Sequence, residues 1–349
     1  MQYTQLGSTG LIVSRLALGG STFTRGDKSL GAFYKVGPEL ADELIGTALD
    51  SGVNYFDTAD VYASGQSEEL LGAALKPHRD RVVVSTKVGN RGVGNKEVLH
   101  SGQSRRHILW SVDQSLKRLG TDWIDILNVH RTDPFTPLEE QLDALDAVVR
   151  AGKVRYVGYS NWPAWLVATA LQMQQANGWA RFTHGQMYYS LLGRDVERDT
   201  VAMMDHYGLG MSIWSPLAFG FLAGKYTRED MQKDENRFSN TDWLNFDKDK
   251  AFALLPVMEE IAKEADCSMA QLAVAWLLTR DNVDTVILGA TKIHQLADNL
   301  GAVDVSLSED QLVRLDAATA IASVYPSSDW VEIDGLVKKR LGANAKWAR

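Results

Sequence analysis

Four side chains that can carry or position a proton lie at or just after the ends of consecutive short apolar runs: Asp57, Tyr62, Lys87 and His130. If these runs are neighbouring parallel strands, about 4.8 Å apart, the four side chains converge on one pocket. A tyrosine has an ordinary pKa of about 10, too high for a good acid near neutrality, but a nearby lysine ammonium lowers it. Each residue alone is commonly structural. Together they predict proton donation by Tyr62, with Asp57 keeping Lys87 charged and His130 holding a carbonyl oxygen.

The elements that must position these residues alternate along the chain, with short apolar runs followed by longer amphipathic ones. Eight such pairs favour a closed (β/α)8 barrel, an α/β fold, over a doubly wound sheet, which more often has five or six. Residues 3–6 and 11–14 predict an N-terminal hairpin. The predicted strands are 16–18, 55–57, 82–87, 124–130, 156–160, 184–188, 211–214 and 285–288. The predicted helices are 39–51, 68–75, 105–119, 138–151, 164–177, 195–207, 268–280 and 293–300.

Three connections, 21–38, 88–104 and 218–250, are much longer than the others, and each follows a strand. They are therefore expected on one face of the barrel, where long loops are commonly functional. The long loops and the C-terminal tail are predicted to line the substrate pocket, and the candidates are Phe23, Trp330 and part of 88–104. Their aromatic residues indicate only a bulky or hydrophobic carbonyl compound.

The composition and charge of the chain exclude several classes of protein. Of 349 residues, 45% are apolar, enough for a large core, and no linker-like segment interrupts the chain, so a single domain over 1–349 is expected. The net charge of -8 argues against nucleic-acid binding and against docking on an anionic membrane. One cysteine, Cys267, excludes an intrachain disulfide. With no signal peptide and no apolar run of roughly 20 residues, a cytoplasmic location is expected.

Three segments resemble signature sequences of the aldo-keto reductases, most closely the bacterial branch related to potassium-channel β subunits. They are Phe56-Asp57-Thr-Ala-Asp60-Val-Tyr62-x-x-Gly65-x-Ser67-Glu68, Ser85-Thr-Lys87 and Val129-His130-Arg131, and similarity extends over nearly the whole chain. The resemblance implies a (β/α)8 barrel that binds NADPH or NADP in an extended form. It implies that Tyr62 is the general acid, that Lys87 and Asp57 tune it, and that His130 orients the carbonyl.

The same resemblance assigns a cofactor site. It implies that Ser160, Asn161 and Gln186 hold the nicotinamide carboxamide and that Trp214 stacks on the ring. It implies that the segment Ser215-Pro216-Leu217, with Lys225, wraps the pyrophosphate, and that Arg237 lies near the 2′-phosphate, with Lys292 as a further candidate. The adenosine end is assigned to Gly289, Thr291, Gln295, Asp298 and Asn299. Thr291 stands where the family often has Ser, and Asp298 where it often has Glu.

The leading hypothesis is therefore NADPH-dependent, reversible reduction of an aldehyde or ketone, in which the substrate contacts Tyr62 and His130. A second hypothesis is a regulatory subunit that binds NADPH, turns over slowly and reports redox state to a protein partner. A third, a metal-dependent barrel hydrolase, is disfavoured because Lys87 would repel a cation among Asp57, His130 and His184. No metal is expected.

Overall fold

Short runs of apolar and β-branched residues form the strands, and nearly all of their side chains are buried. The computed structural model describes residues 1–26, 35–91, 98–229, 246–322 and 324–325. Within them, eight parallel strands close into one barrel, which confirms the predicted (β/α)8 architecture. The barrel strands are β3 (Leu16–Gly19), β4 (Tyr55–Asp57), β5 (Val83–Val88), β6 (Ile124–Val129), β7 (Val154–Ser160), β8 (Phe182–Tyr188), β9 (Gly210–Trp214) and β10 (Thr285–Leu288).

The strands pair in chain order, and β10 closes the barrel by pairing with β3. Asp57 of β4 lies beside Ser85 of β5. On the opposite side, Ser160 of β7 pairs with Gln186 of β8. This register brings the polar carboxyl-terminal residues of the strands to one rim of the barrel.

Helices surround the barrel and pack their apolar faces on the strands. In the third helix, for example, Ile108, Val112 and Leu119 face inward, and Gly120 ends the helix at φ 63°, a conformation that glycine tolerates best. The described helices are α1 (Pro38–Asp50), α2 (Gln66–Leu75), α3 (Arg105–Leu119), α4 (Leu138–Arg150), α5 (Ala164–Asn177), α6 (Thr200–Tyr207), α7 (Lys248–Glu264), α8 (Met269–Leu278), α9 (Ile293–Leu300) and α10 (Glu309–Ala318).

An antiparallel hairpin, β1 (Tyr3–Gln5) and β2 (Ile12–Ser14), closes the amino-terminal end of the barrel. Its Leu6 and Val13 are fully buried in one cluster with residues of the barrel interior. The turn between the strands passes so close to β9 that a Cβ on Gly7 would lie 2.4 Å from the Gly210 nitrogen. The carboxyl-terminal rim, where the candidate residues lie, is therefore the end that the hairpin leaves open.

Three helical regions differ from the sequence prediction. Helices α7 and α10 were not predicted, and the helix expected over 195–207 is a short 3₁₀ turn (Asp195–Glu197) followed by α6. Apolar residues of α7 recur at helical spacing, but Pro256 lies inside the helix and interrupts the pattern. Among the described helices, none combines the length and apolarity needed to cross a membrane.

Candidate active site

The centre of the site is a buried ion pair between neighbouring strands. The Lys87 ammonium of β5 lies 2.5 Å from the Asp57 carboxylate of β4 and donates a second hydrogen bond, 2.8 Å long, to the Thr58 carbonyl. The other carboxylate oxygen of Asp57 accepts a 2.8 Å hydrogen bond from the Gln186 amide, across the barrel interior. Asp57 therefore fixes the position of Lys87 and is itself held from the opposite strand.

The charge on Lys87 is retained despite full burial. Burial alone would lower the pKa of the ammonium, but Asp57 and Tyr62 outweigh it, and the pKa is raised above its ordinary value of 10.5. The lysine is a permanent cation near neutral pH. A permanent cation beside a phenol stabilises the phenolate form of that phenol.

Tyr62 follows β4 and is half-buried at the rim of the barrel. The Lys87 ammonium lies over its ring, 5.0 Å from the centre, and the tyrosine helps to raise the pKa of that ammonium. The His130 ring meets the Tyr62 ring edge-on, with 5.7 Å between centroids. Four residues predicted from separate parts of the chain thus lie together.

His130 directly follows β6, and its backbone N–H donates to the Val88 carbonyl of β5. Desolvation, with Lys87 and Arg131 adding positive charge, holds the pKa of His130 well below its ordinary value. The ring is therefore neutral near pH 7. Its Nδ1 is buried and has no hydrogen-bond partner among the described residues. A neutral imidazole can donate one hydrogen bond without adding a charge to the site.

The residues expected at the nicotinamide lie beside this group and bond to one another. Ser160 donates to the Gln186 backbone carbonyl, and Asn161 donates to the Ser160 hydroxyl, each over 2.8 Å. The Trp214 indole donates to the Asn161 side-chain oxygen over 3.0 Å. Asn161 has φ 59°, a conformation that asparagine tolerates better than most residues, and this backbone turns its amide toward Trp214.

The backbone after β9 folds into a succession of left-handed residues. Positive φ angles occur at Ser215, Ala218, Phe219, Gly220 and Gly224. Consecutive residues of this kind can direct several N–H groups to one side and make a concave binding site for an anion. The Lys225 ammonium lies close by, 3.1 Å from where a Cβ on Gly220 would be.

The residues expected at the adenosine end lie around the start of α9. The Thr291 N–H and hydroxyl both face the Gln295 side-chain oxygen, at 3.2 Å each. The Asp298 carboxylate accepts a 2.8 Å hydrogen bond from Ser268, the residue that caps α8, so part of its bonding capacity is already used. Asn299 is buried, and the space around Gly289 is open.

Phe23, one of the two aromatic residues predicted to line the substrate pocket, does not line the open rim. Its side chain is fully buried in the main hydrophobic cluster, and its ring packs against Gly20. The substrate contact predicted at Phe23 therefore has no exposed surface in this structure. The reason is local, because the loop after β3 turns inward and its backbone bridges to Val36. Arg237 and Trp330 lie outside the described residues.

The matching family model is described as the aldo/keto reductase family and covers residues 15–320. The chain belongs to the aldo/keto reductase family. Three relatives illustrate its range. A probable voltage-gated potassium channel subunit beta from Oryza sativa subsp. japonica is 37% identical over 319 residues, covering 87% of this chain and 92% of the relative. Versiconal hemiacetal acetate reductase from Aspergillus parasiticus is 33% identical over 353 residues, covering 93% and 99%. A putative aryl-alcohol dehydrogenase from Schizosaccharomyces pombe is 35% identical over 341 residues, covering 90% and 94%.

Membership of the aldo/keto reductase family, with relatives named as reductases, makes this protein an oxidoreductase. In the part of the chain that the structure describes, no three His, Cys, Asp or Glu side chains are grouped as metal ligands would be.

The sequence analysis of this aldo/keto reductase did not predict one ion pair beside the site. Glu68 lies in the first turn of α2, yet it is fully buried and ion-paired with Arg118 over 2.6 Å. A signal was present in the sequence, because Glu68, Leu71 and Leu75 share helical spacing and all three face the core.

Proposed function

We propose that the protein reduces an aldehyde or ketone to the alcohol with NADPH, reversibly, and that Tyr62 supplies the proton. The observation that supports this most directly is the buried ammonium of Lys87, which is hydrogen-bonded to Asp57 and lies 5.0 Å from the centre of the Tyr62 ring. His130 lies against the same tyrosine and is neutral near pH 7. A proton donor, the cation that stabilises its anion, and a neutral hydrogen-bond donor together suit carbonyl reduction.

In the proposed reaction the carbonyl oxygen binds between Tyr62 and His130. The neutral imidazole donates a hydrogen bond that orients the carbonyl. As negative charge develops on the oxygen, the Tyr62 hydroxyl donates its proton, and the Lys87 ammonium stabilises the phenolate that remains. Asp57 keeps the Lys87 ammonium beside the phenol. In the oxidative direction the phenolate accepts the proton from the alcohol.

The residues of the rim fit a nicotinamide cofactor. The carboxamide has donors and acceptors that match the side-chain amides of Asn161 and Gln186. Trp214 is half-exposed, with Tyr188 beside it at 5.2 Å, so the indole offers a flat surface. When bound, the reduced nicotinamide supplies the hydride to the carbonyl carbon.

The residues expected at the cofactor phosphates support NADP(H) binding more weakly than the residues expected at the nicotinamide do. The left-handed turn after β9 and Lys225 suit a pyrophosphate, and Lys292 is exposed at the start of α9, where a 2′-phosphate would gain from a positive charge. The preference for NADPH over NADH, the role of Arg237 and the contacts of Asp298 and Asn299 remain predictions. So do the cytoplasmic location and the assignment of 1–349 to one domain.

Tyr62→Phe tests this function. We expect the variant to lose about 10²–10⁴-fold in turnover while it binds NADPH as the wild type does, because only the proton donor is removed. Tyr159→Phe is a matched control, since it deletes a buried tyrosine hydroxyl that has no partner among the described residues. It should keep wild-type turnover. Wild-type turnover in Tyr62→Phe would overturn the assignment.

A second candidate function, a redox-sensing regulatory subunit, draws on the names of three relatives, which are described as probable or putative voltage-gated potassium channel β subunits. Such a protein would bind NADPH and release a protein partner on oxidation, with little turnover. Rapid turnover on any carbonyl of a broad panel argues against it. A partner that is retained only with NADPH, and not with NADP, would argue for it.

A further inference from the structure

The turn that carries Tyr62 has an unusual backbone. Ala63, Ser64 and Gly65, the three residues after the tyrosine, have φ angles of 47°, 55° and 93°. Residues with a side chain seldom adopt this left-handed region, and a run of three is rarer still. Ala63 is also fully buried. Contacts from outside the turn must therefore hold it in this conformation.

One such contact comes from α3. The Arg118 side chain packs on Gly65 so closely that a Cβ there would lie 2.6 Å from the arginine Cδ. The same guanidinium donates a 2.6 Å hydrogen bond to the Glu68 carboxylate, which has no exposed surface. Arg118 thus covers the left-handed residue and binds the first turn of the helix that follows it.

Glu68 extends the link to the strand that carries the lysine. Its other carboxylate oxygen accepts a 2.6 Å hydrogen bond from the hydroxyl of Thr86, the residue before Lys87 on β5. The segment before Tyr62 is fixed to the same elements, because Asp60 donates its N–H to the Lys87 carbonyl and accepts a hydrogen bond from Ser111 of α3. The tyrosine is therefore held from both sides.

We infer that Arg118 and Glu68 are positioning residues, which hold the left-handed turn so that Tyr62 stays beside the Lys87 ammonium. Glu68 has no exposed surface and therefore cannot contact a substrate at the rim. The inference rests on the proposed function of Tyr62 as the proton donor. A displacement of about 1 Å in a reacting group can cost on the order of 100-fold in rate, so a loosened turn should slow proton donation strongly.

The test uses two variants of the full-length protein. Arg118→Met removes the contact but leaves the Glu68 carboxylate buried without its cation, which destabilises the protein for a reason unrelated to Tyr62. The double variant Glu68→Gln with Arg118→Met removes both charges and avoids this problem. Arg79→Met is the matched control, because Arg79 forms a similarly shielded pair with Asp125, 2.7 Å long, at the opposite end of the barrel.

Four quantities are measured for each protein: kcat, KM for the carbonyl, Kd for NADPH and the melting temperature. We expect the double variant to lose about 10–100-fold in kcat, with KM and Kd within about twofold of the wild type. Arg79→Met should lower the melting temperature while it keeps the wild-type kcat. A double variant with wild-type kcat, or one whose kcat falls only as much as that of Arg79→Met, would overturn the inference.

Wild type and Tyr62→Phe are run in parallel to separate this inference from the proposed function. If the wild type turns over and Tyr62→Phe does not, the function stands and the Arg118 variants decide the positioning role alone. If the wild type reduces no carbonyl, a crystal structure of the double variant decides it. A Tyr62 hydroxyl displaced from Lys87 supports positioning, and an unmoved hydroxyl contradicts it.

Discussion

Removing the buried charges of Asp57 and Lys87 one at a time and together should separate the stability of the site from its chemistry. Lys87→Met leaves the Asp57 carboxylate with the Gln186 amide but without its cation. Loss of one partner of a buried pair typically costs about 3–5 kcal/mol in the free energy of unfolding, because the other charge is left uncompensated. Asp57→Asn should lower the free energy of unfolding by a similar amount, since it leaves the Lys87 ammonium buried without its carboxylate partner.

The double variant Lys87→Met with Asp57→Asn carries no buried charge at this position. We expect its free energy of unfolding to return to within about 2 kcal/mol of the wild type, which gives a coupling energy of several kcal/mol. Turnover should not return. All three variants lack the paired ammonium beside Tyr62, so each should lose about 10²-fold or more in kcat.

Urea unfolding followed by tryptophan fluorescence gives the stabilities, and NADPH consumption gives kcat. The raised pKa of Lys87 in the folded protein fixes the sign of the pH dependence. The ion pair stabilises the folded state fully below pH 10.5, the ordinary pKa of lysine, and this stabilisation is lost as pH rises through the pKa of Lys87 in the folded state. The coupling energy should therefore be constant between about pH 6 and 9. A coupling energy below about 1 kcal/mol, or recovery of turnover in the double variant, would refute this reasoning.

Three further predictions concern the residues around the site. Burial and the nearby Glu68 raise the pKa of Asp60 to about 7. The free energy of unfolding of the wild type should therefore fall as pH rises from about 4 to about 7. Asp60→Asn should remove up to about 4 kcal/mol of that loss, measured by urea unfolding at pH 4.5 and pH 8. Gly72→Ala should destabilise by about 1–3 kcal/mol, because its Cβ would lie 2.3 Å from the Leu119 carbonyl where α2 meets α3. Trp214→Ala should weaken NADPH binding by about 2–12-fold in a fluorescence titration, through loss of stacking.

Each of these three has a control in the same chain. Asp50→Asn alters an exposed carboxylate at the end of α1 and should leave the pH dependence unchanged. Gly46→Ala, also in α1, meets no atom within 4 Å and should stabilise by up to about 1 kcal/mol. Trp165→Ala removes an indole that is 68% exposed on α5 and should not change NADPH affinity. A control that behaves like its test variant would contradict the corresponding prediction.

The barrel was predictable because its strands are buried on both faces and read as short apolar runs. β4 and β10 match the predicted 55–57 and 285–288 at both ends, and the other barrel strands agree within two residues. α10 also carried a readable signal, since Ser308 and Gln311 form a capping box. α7 was harder, because its periodic apolar residues follow a long polar stretch and surround Pro256.

At the site, specific contacts between residues far apart in the sequence could not all be predicted from the sequence. Strand ends place Asp57, Lys87 and His130 on one rim, and their approach follows from barrel geometry alone. The partnership of Glu68 with Arg118 spans 50 residues and no spacing rule reveals it, although the helical phase of Glu68 does indicate burial. Phe23 was expected at the rim for its place in a long loop, but a loop aromatic can equally turn into the core, as it does here.

The most direct test of the proposed reaction is a product balance for the wild type and Tyr62→Phe, with NADPH and a panel of aldehydes and ketones. NADPH consumed and alcohol formed are measured in the same reaction. We predict one alcohol for each NADPH with the wild type on at least one carbonyl, and a loss of about 10²-fold or more with Tyr62→Phe. Equal rates for the two proteins, or tight NADPH binding with no alcohol from any carbonyl, would contradict the proposal.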